Sequence, residues 1–347
     1  MLNIGIVGAG VAGAAATFLL DRTVPQADLT VLEQSSVVSG RAVTSRRGDV
    51  TYDYGANYVN SDDKRVNELL TETVDADGLV DVTEPIYVFD ETGTVSPGRE
   101  PSGHKWTYRT GLSGLAKRFL EPTDATVELD TRVSKLVRDS GTESWLVMDA
   151  EGGEWGPFDG LVVNPPAPET ARLLRKANWD SEVREVVIEA LDDVEFRALW
   201  SAVLHYPFEL DRPYYALVNT DKEHEVGWIA REECKPGHVP GGESVLVVQA
   251  SPEWSSTHYG DAPTANADEL ATFTAEIMDD DRLTDPDWTD FGRWRYALPD
   301  EGVASAPVQR AWDHGLYPVG DWVAGEARLH AAIRNGLNVA ERIVYRS

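Results

Sequence analysis

The chain opens on a short apolar run, Ile4-Gly5-Ile6-Val7, followed by a glycine-spaced turn and the small-residue stretch "VAGAAATFLLDR". The run predicts a buried strand, and the alanine-rich stretch predicts a helix. A second strand is predicted in "LTVLEQ". Further along, "TVELDTRVSKLVRD" and "WLVMDAEGGEWGPFDGLVVNPPAP" predict more strands, and "PETARLLRKA" a helix. Apolar and polar positions alternate in "RALWSAVLHYPF" and "ESVLVVQAS", the period of a strand. "TGLSGLAKRFL" predicts a turn into a helix, and "ADELATFTAEIMDDD" an amphipathic helix. In the closing segment Leu329, Ile333, Leu337, Ala340 and Val344 form one apolar stripe at helical spacing. "CKPGHVPGGE" predicts a loop, and there are no internal repeats or low-complexity tracts.

Length changes this picture little: 347 residues suffice for a large core and two domains, or one domain with a big insertion. Charge changes it more. The net charge is −28 and the pI about 4.5, a surface that repels nucleic acid and anionic membranes. Only seven of the 31 basic residues are lysine. Dense carboxylates with scarce lysine point to a salt-adapted organism, where salt screens their repulsion. The single cysteine, Cys234, excludes a disulfide within the chain and any CxxC metal or redox pair. No metal-binding cluster is expected from the spacing of His, Cys and carboxylates. No apolar run approaches the ~20 residues of a membrane span. The first residues read as a strand and not as a signal peptide, so the expected location is the cytoplasm.

Candidate chemistry begins in the first turn. Gly8-Ala9-Gly10-Val11-Ala12-Gly13 matches the GxGxxG spacing of dinucleotide-binding turns. Gly8 permits the tight turn, Gly10 lets backbone approach a pyrophosphate, and Gly13 seats the helix on the strand. Ala12 offers only its backbone. The helix N-terminus presents free N–H groups to phosphate. Glu33 stands 20 residues after Gly13, where an acid hydrogen-bonds a ribose 2′-hydroxyl. An acid there favours FAD or NAD over NADP.

Two further elements separate FAD from NAD. Ser39-Gly40-Arg41 matches, one glycine short, a Gly-Gly-Arg element that certain FAD proteins carry after the acid. The arginine is a forked donor suited to pyrophosphate. Asp53-Tyr54-Gly55-Ala56-Asn57-Tyr58 matches the Asp-x-Gly-Ala that follows it, and "GLYPVGDWVAGEARLHAAIRNGLNVAERIV" resembles the closing motif of the same proteins. With "FDGLVVNPPAPETARLL" and "RWRYALPDEGVASAP", the resemblance spans the chain. It is to the FAD-dependent amine oxidase-like superfamily, and within it to the renalase family.

The resemblance implies an α/β fold: a Rossmann-type FAD-binding domain interleaved with an α+β substrate domain on a mixed or antiparallel sheet. The expected FAD domain comprises residues 1–85, 123–167 and 299–347, and the substrate domain 86–122 and 168–298. By resemblance, Gly40, Arg41, Ala56, Asn57 and Val133 contact the cofactor, Val133 through backbone beside the adenine. Gly320-Asp321 meets the ribityl phosphate, and the closing helix, with His330 and Ile333, points its N-terminus at the flavin. Cys234 lies far along the chain from that motif, so the FAD is expected to be non-covalent.

The resemblance also implies a reaction: oxidation of reduced nicotinamide dinucleotides carrying hydride at the wrong ring position. Hydride would pass to flavin N5, giving NAD(P)+, and O2 would accept the electrons as H2O2. An amine oxidase is the alternative. Many amine oxidases use a lysine late in the chain and an aromatic before the last helix; here no lysine follows Lys235, and Arg328 takes the aromatic's place. A desaturase-like or porphyrinogen-oxidase-like role calls for a longer chain and a membrane-seeking apolar surface. A non-catalytic flavin- or dinucleotide-binding protein is the alternative of another class. Candidate pocket residues are His205, Trp294 and Arg295. The sequence sets no oligomeric state.

Overall fold

The computed structural model describes residues 2–99 and 103–346, which form two compact units. Unit 1 comprises residues 1–40, 113–196 and 299–347, and unit 2 residues 41–112 and 197–298. Where the sequence expectation divides the chain differently, residues 41–85 pack in unit 2, and residues 113–122 and 168–196 in unit 1.

Unit 1 is built on a five-stranded parallel sheet. Its order is Thr126–Glu128, Asp28–Leu32, Asn3–Val7, Gly160–Val163, Leu316–Pro318. The central strand, Asn3–Val7, is flanked on both sides, so its apolar run is buried on both faces. The helix Val11–Thr23 leaves directly from this strand. The closing helix, Leu329–Val344, lies against it so closely that a Cβ on Gly336 would stand 2.2 Å from the Ala12 carbonyl oxygen. Only small residues allow that approach, which accounts for the alanines and glycines on both helices. Ile333, Leu337 and Ala340 from the predicted stripe are buried. An antiparallel meander, Val133–Arg138, Trp145–Asp149 and Glu154–Phe158, completes the unit with helices Ala167–Arg175 and Glu182–Asp192. Their shared core is centred on Trp145, Phe158, Leu161, Leu191 and Trp322.

Unit 2 is built on a seven-stranded mixed sheet. Its order is Trp288–Pro299, Phe196–Tyr206, Ser244–Ala250, Val226–Arg231, Ala216–Asn219, Ile86–Phe89, Val95–Pro97. Strands Ala216–Asn219 and Ile86–Phe89 pair in parallel. Strand alternation divides its apolar residues between two cores. Leu204, Tyr206, Leu246 and Val248 face the helix Pro263–Met278, while Val203, Val245 and Val247 join Tyr52 and Tyr215. The hairpin Thr44–Arg47 and Val50–Asp53 turns at Gly48, whose φ is +61°. No helix among the described residues is long and apolar enough to cross a membrane.

Candidate functional site

The glycine turn of unit 1 has the geometry of a phosphate cradle. Gly8 adopts φ +93°, which strongly favours glycine. A Cβ on Gly13 would meet the Gly8 carbonyl oxygen at 2.4 Å, and one on Gly10 would meet Asn164 Oδ1 at 2.8 Å. Gly10, the residue before the helix, has no side chain to cap it, and of the first-turn N–H groups that of Gly13 is taken by Asn164. Glu33 is buried; its two oxygens accept the Ala9 N–H at 2.7 Å and the Ser35 N–H at 2.9 Å. A carboxylate so held keeps lone pairs for a ribose hydroxyl. Ser39 and Gly40 run beside the turn: Ser39 bridges to Gly10, and a Cβ on Gly40 would lie 3.3 Å from Gly10 Cα. A helix start that follows a glycine turn, a backbone that excludes Cβ atoms and a fixed carboxylate fit the pyrophosphate and adenosine of a dinucleotide.

Ser39, standing where the family pattern has glycine, adopts φ +139°, and its buried hydroxyl has no hydrogen-bond partner among the described residues. Asn164 is a site residue the sequence analysis missed. Its Oδ1 accepts the Gly13 N–H at 3.0 Å and its amide donates to the Val319 carbonyl at 3.3 Å, tying the glycine turn to the closing segment. The only signal was a lone polar residue ending "GLVVN".

In that segment Gly320 adopts φ +147° and donates its N–H to Asn335 Oδ1 at 2.9 Å. Asp321 is buried, and its carboxylate accepts the Trp322 N–H at 2.9 Å. The closing helix starts at Arg328 without a side-chain cap. Arg328 is exposed, while His330 is buried in the first turn, 3.4 Å from Glu326 Oε1. Ile333 is fully buried, and Val133, half-buried, opens its strand opposite Asp149.

In unit 2, the Arg41 guanidinium is half-buried and donates to the Ala297 carbonyl. Ala56 donates its N–H to the Arg41 carbonyl at 3.0 Å. Gly55 is required at this crossing, because a Cβ there would lie 2.2 Å from that same oxygen. Asn57 uses both ends of its amide, donating to Gly55 O at 3.2 Å and accepting from Trp228 Nε1 at 3.2 Å. Gln249 Nε2 reaches Gly55 O at 2.7 Å. The turn is therefore fixed to two neighbouring strands, with half-buried Tyr54, Tyr58 and Trp228 around it.

Beneath it lies a buried ionic cluster that the sequence analysis missed. Lys235 Nζ bonds Asp53 Oδ2 at 2.9 Å and Glu232 Oε1 at 2.7 Å, all fully buried. His238 Nδ1 lies 2.9 Å from Glu232 Oε2, and its Nε2 lies 2.9 Å from the Tyr108 carbonyl. Burial pulls the Lys235 pKa down, but Asp53 and Glu232 outweigh it and the net shift is upward. For Glu232, burial pushes upward, and Lys235 and His238 bring the net shift below the ordinary value. Ligand atoms of Asp53, Glu232 and His238 lie within 4.8 Å of one another, but the Lys235 ammonium is already the cation bound by the two carboxylates.

His205 stacks on Trp288 at 4.8 Å and holds Glu243 through Nε2 at 3.0 Å. Trp294 is half-buried against Tyr54, and exposed Arg295 lies over the Tyr259 ring. The structure thus gathers Gly8, Gly10, Gly13, Glu33 and Gly40 around one turn, and Arg41, Ala56 and Asn57 around another. His205 and Arg295 lie against different rings, Trp288 and Tyr259. Cys234 is largely buried, which pushes its thiol up to about 12 and leaves it a poor nucleophile.

Two family models match the chain: NAD(P)-binding Rossmann-like domain over residues 6–73, and flavin containing amine oxidoreductase over residues 99–344. Among solved structures, a putative protoporphyrinogen oxidase from Exiguobacterium sp. 255-15 is similar at 16% identity and TM-score 0.79, covering 100% of this chain and 99% of that one. Cyclohexylamine oxidase from Brevibacterium oxydans IH-35A is similar at 11% identity and TM-score 0.74, with 99% of each chain covered. A reduced UDP-galactopyranose mutase gives 10% identity and TM-score 0.78, covering 100% and 94%. At these identities the likeness is one of fold.

Proposed function

As the chain belongs to the flavin containing amine oxidoreductase family and is an FAD-dependent oxidoreductase, we propose that its substrates are misformed reduced nicotinamide dinucleotides, with hydride at the wrong ring position. The bound flavin supplies the two-electron acceptor, and O2 takes the electrons onward as H2O2. In unit 1 the helix start at Gly10 would hold the pyrophosphate and Glu33 the adenosine ribose; in unit 2 Arg41 would serve as a forked phosphate donor. Val133 would lie at the adenine, Ala56 and Asn57 near the flavin, and Gly320-Asp321 at the ribityl phosphate. The start of the closing helix, with His330 and Ile333, would place its dipole where the flavin gains negative charge.

The observation that carries this reading is the state of Lys235. It is the last lysine in the sequence, and its ammonium is locked between Asp53 and Glu232 with no exposure. It is not available to serve an amine oxidation. Arg328, exposed at the start of the closing helix, repels a protonated amine and attracts the phosphates of a dinucleotide. A dihydropyridine already donates hydride and needs no strong base. It needs a flat surface for its ring, which the half-buried rings of Tyr54, Tyr58 and Trp228 would offer.

Product stoichiometry under air tests the reading. Incubation with 2- or 6-dihydro-NAD(P) should give one NAD(P)+ and one H2O2 per substrate, while 4-dihydro-NAD(P)H and primary or secondary amines give neither. Aldehyde and ammonia from an amine, with no turnover of the isomers, would replace this reading with amine oxidation.

A further inference from the structure

Unit 2 contains a file of aromatic rings in contact. Centroids of Trp294 and Tyr54 are 5.8 Å apart, those of Tyr54 and Tyr52 6.0 Å, and those of Tyr52 and Trp288 5.7 Å. All fall within the range of aromatic contact. The two tryptophans at the ends and Tyr54 are half-buried, while Tyr52 is 2% exposed.

What sets Tyr52 apart is its hydrogen bond. Its phenol donates to Asp290 Oδ2 at 2.6 Å, the length of a charge-assisted bond to a carboxylate. Buried Tyr206 makes the ordinary alternative, donating to the Leu283 backbone carbonyl at 2.7 Å. A carbonyl satisfies a phenol; a carboxylate can also take its proton. Asp290 is steadied by the Phe291 N–H, which donates to its other oxygen at 2.8 Å. Burial and then Asp290 push the Tyr52 phenol up to about 12, so it is protonated at neutral pH.

Removing an electron from a phenol makes its proton strongly acidic, so oxidation is easy only where a base receives that proton at once. Electron tunnelling falls off exponentially with distance, so rings in contact pass charge readily. At the far end, the Arg47 guanidinium sits 4.7 Å over the Trp288 ring. A cation there opposes a radical cation on Trp288.

We propose that Tyr52 is a redox-active tyrosine, a one-electron donor reached through Trp294 and Tyr54 whose proton passes to Asp290. The oxidant is an oxygen-derived one-electron oxidant of the class that hydrogen peroxide yields. Tyr52-OH and the Asp290 carboxylate together lose one electron to it, leaving a neutral phenoxyl and Asp290-COOH. A small-molecule thiolate or enediolate, as one-electron reductant, returns the electron to the phenoxyl and is itself left as the thiyl or enediolate radical, while Asp290-COOH returns the proton. Oxidising equivalents then collect at one reversible site and do not scatter over the chain. This site does not depend on which substrate the flavin oxidises.

The test is electron paramagnetic resonance on the FAD-loaded protein, freeze-quenched after oxidation by flash-generated tris(bipyridine)ruthenium(III). The unsubstituted protein should give a tyrosyl signal. Tyr52→Phe should lose it while keeping far-UV circular dichroism and flavin absorbance. Asp290→Asn keeps every ring and removes the proton acceptor, so its signal should also be lost. A tyrosyl signal persisting in Tyr52→Phe, a tryptophanyl signal or no radical in the unsubstituted protein, or an undiminished signal in Asp290→Asn would each overturn the proposal.

Discussion

Arg41, Arg46 and Arg47 lie within seven residues and carry the same charge, yet their surroundings differ. Arg41 is half-buried, Arg46 is exposed on the hairpin, and Arg47 covers Trp288. The spacing of Ser39-Gly40-Arg41 singled out the first, and the other two lie on the hairpin that turns at Gly48. Arg41→Ala should lower the FAD retained after desalting far more than Arg46→Ala or Arg47→Ala; equal losses would count against the cradle. Ser39 is the residue where sequence and geometry part company. The missing glycine was visible in the sequence, but not the φ of +139° nor the orphaned hydroxyl. Such strain amounts to ~1–3 kcal/mol, and glycine gives back ~0.5–1 kcal/mol through the entropy of the unfolded chain. Ser39→Gly should therefore raise stability by roughly 1 kcal/mol, read as a higher urea midpoint. A midpoint that falls would mean the serine is not strained.

At the scale of elements, periodicity found those strands and helices whose signal lies in consecutive residues, and it predicted neither the helix Glu182–Asp192 nor the strand Trp288–Pro299. The closing helix was legible from its stripe, and the pair Phe196–Tyr206 and Ser244–Ala250 from alternation. The segment "CKPGHVPGGE" is a loop, as expected, but Lys235 and His238 in it are buried. Glu232 stands close by in sequence, but Asp53, the other carboxylate on Lys235, is 182 residues away, so the local sequence did not reveal the burial. Lys235→Met leaves the two carboxylates buried without their cation and should destabilise the protein by ~3–5 kcal/mol. The pH dependence follows from the shift directions. Lys235, raised on folding, stabilises fully below its unfolded value of about 10.4, and that contribution is lost as pH climbs through the folded value. Glu232, lowered on folding, stabilises above its ordinary 4.5, and its contribution is lost as pH falls through the folded value. Urea midpoints across pH should thus show a plateau at neutral pH with losses on both sides. The Lys235→Met midpoint should lie below it throughout the plateau; equal midpoints would remove the cluster's role.

For the whole molecule, the strand–turn–helix start disclosed a Rossmann-type unit, and the matches to several separated segments disclosed the amine oxidase-like superfamily. The division into units was harder to read. Residues 41–85 follow the acid and glycine elements in sequence, yet their strands pair and pack within unit 2. A surface of net charge −28 should be stabilised by salt, and we propose a salt-adapted cytoplasm as its setting. Going from ~0.1 M to ~1 M KCl shortens the screening length from ~10 Å to ~3 Å, so the melting temperature should rise. A flat or falling melting temperature would mark an ordinary acidic protein. The most direct test of the proposed activity is an anaerobic titration of the FAD-loaded protein, following flavin absorbance. Stoichiometric bleaching by 2- and 6-dihydro-NAD(P), with none by 4-dihydro-NAD(P)H or amines, is the predicted result; bleaching by amines alone would contradict it.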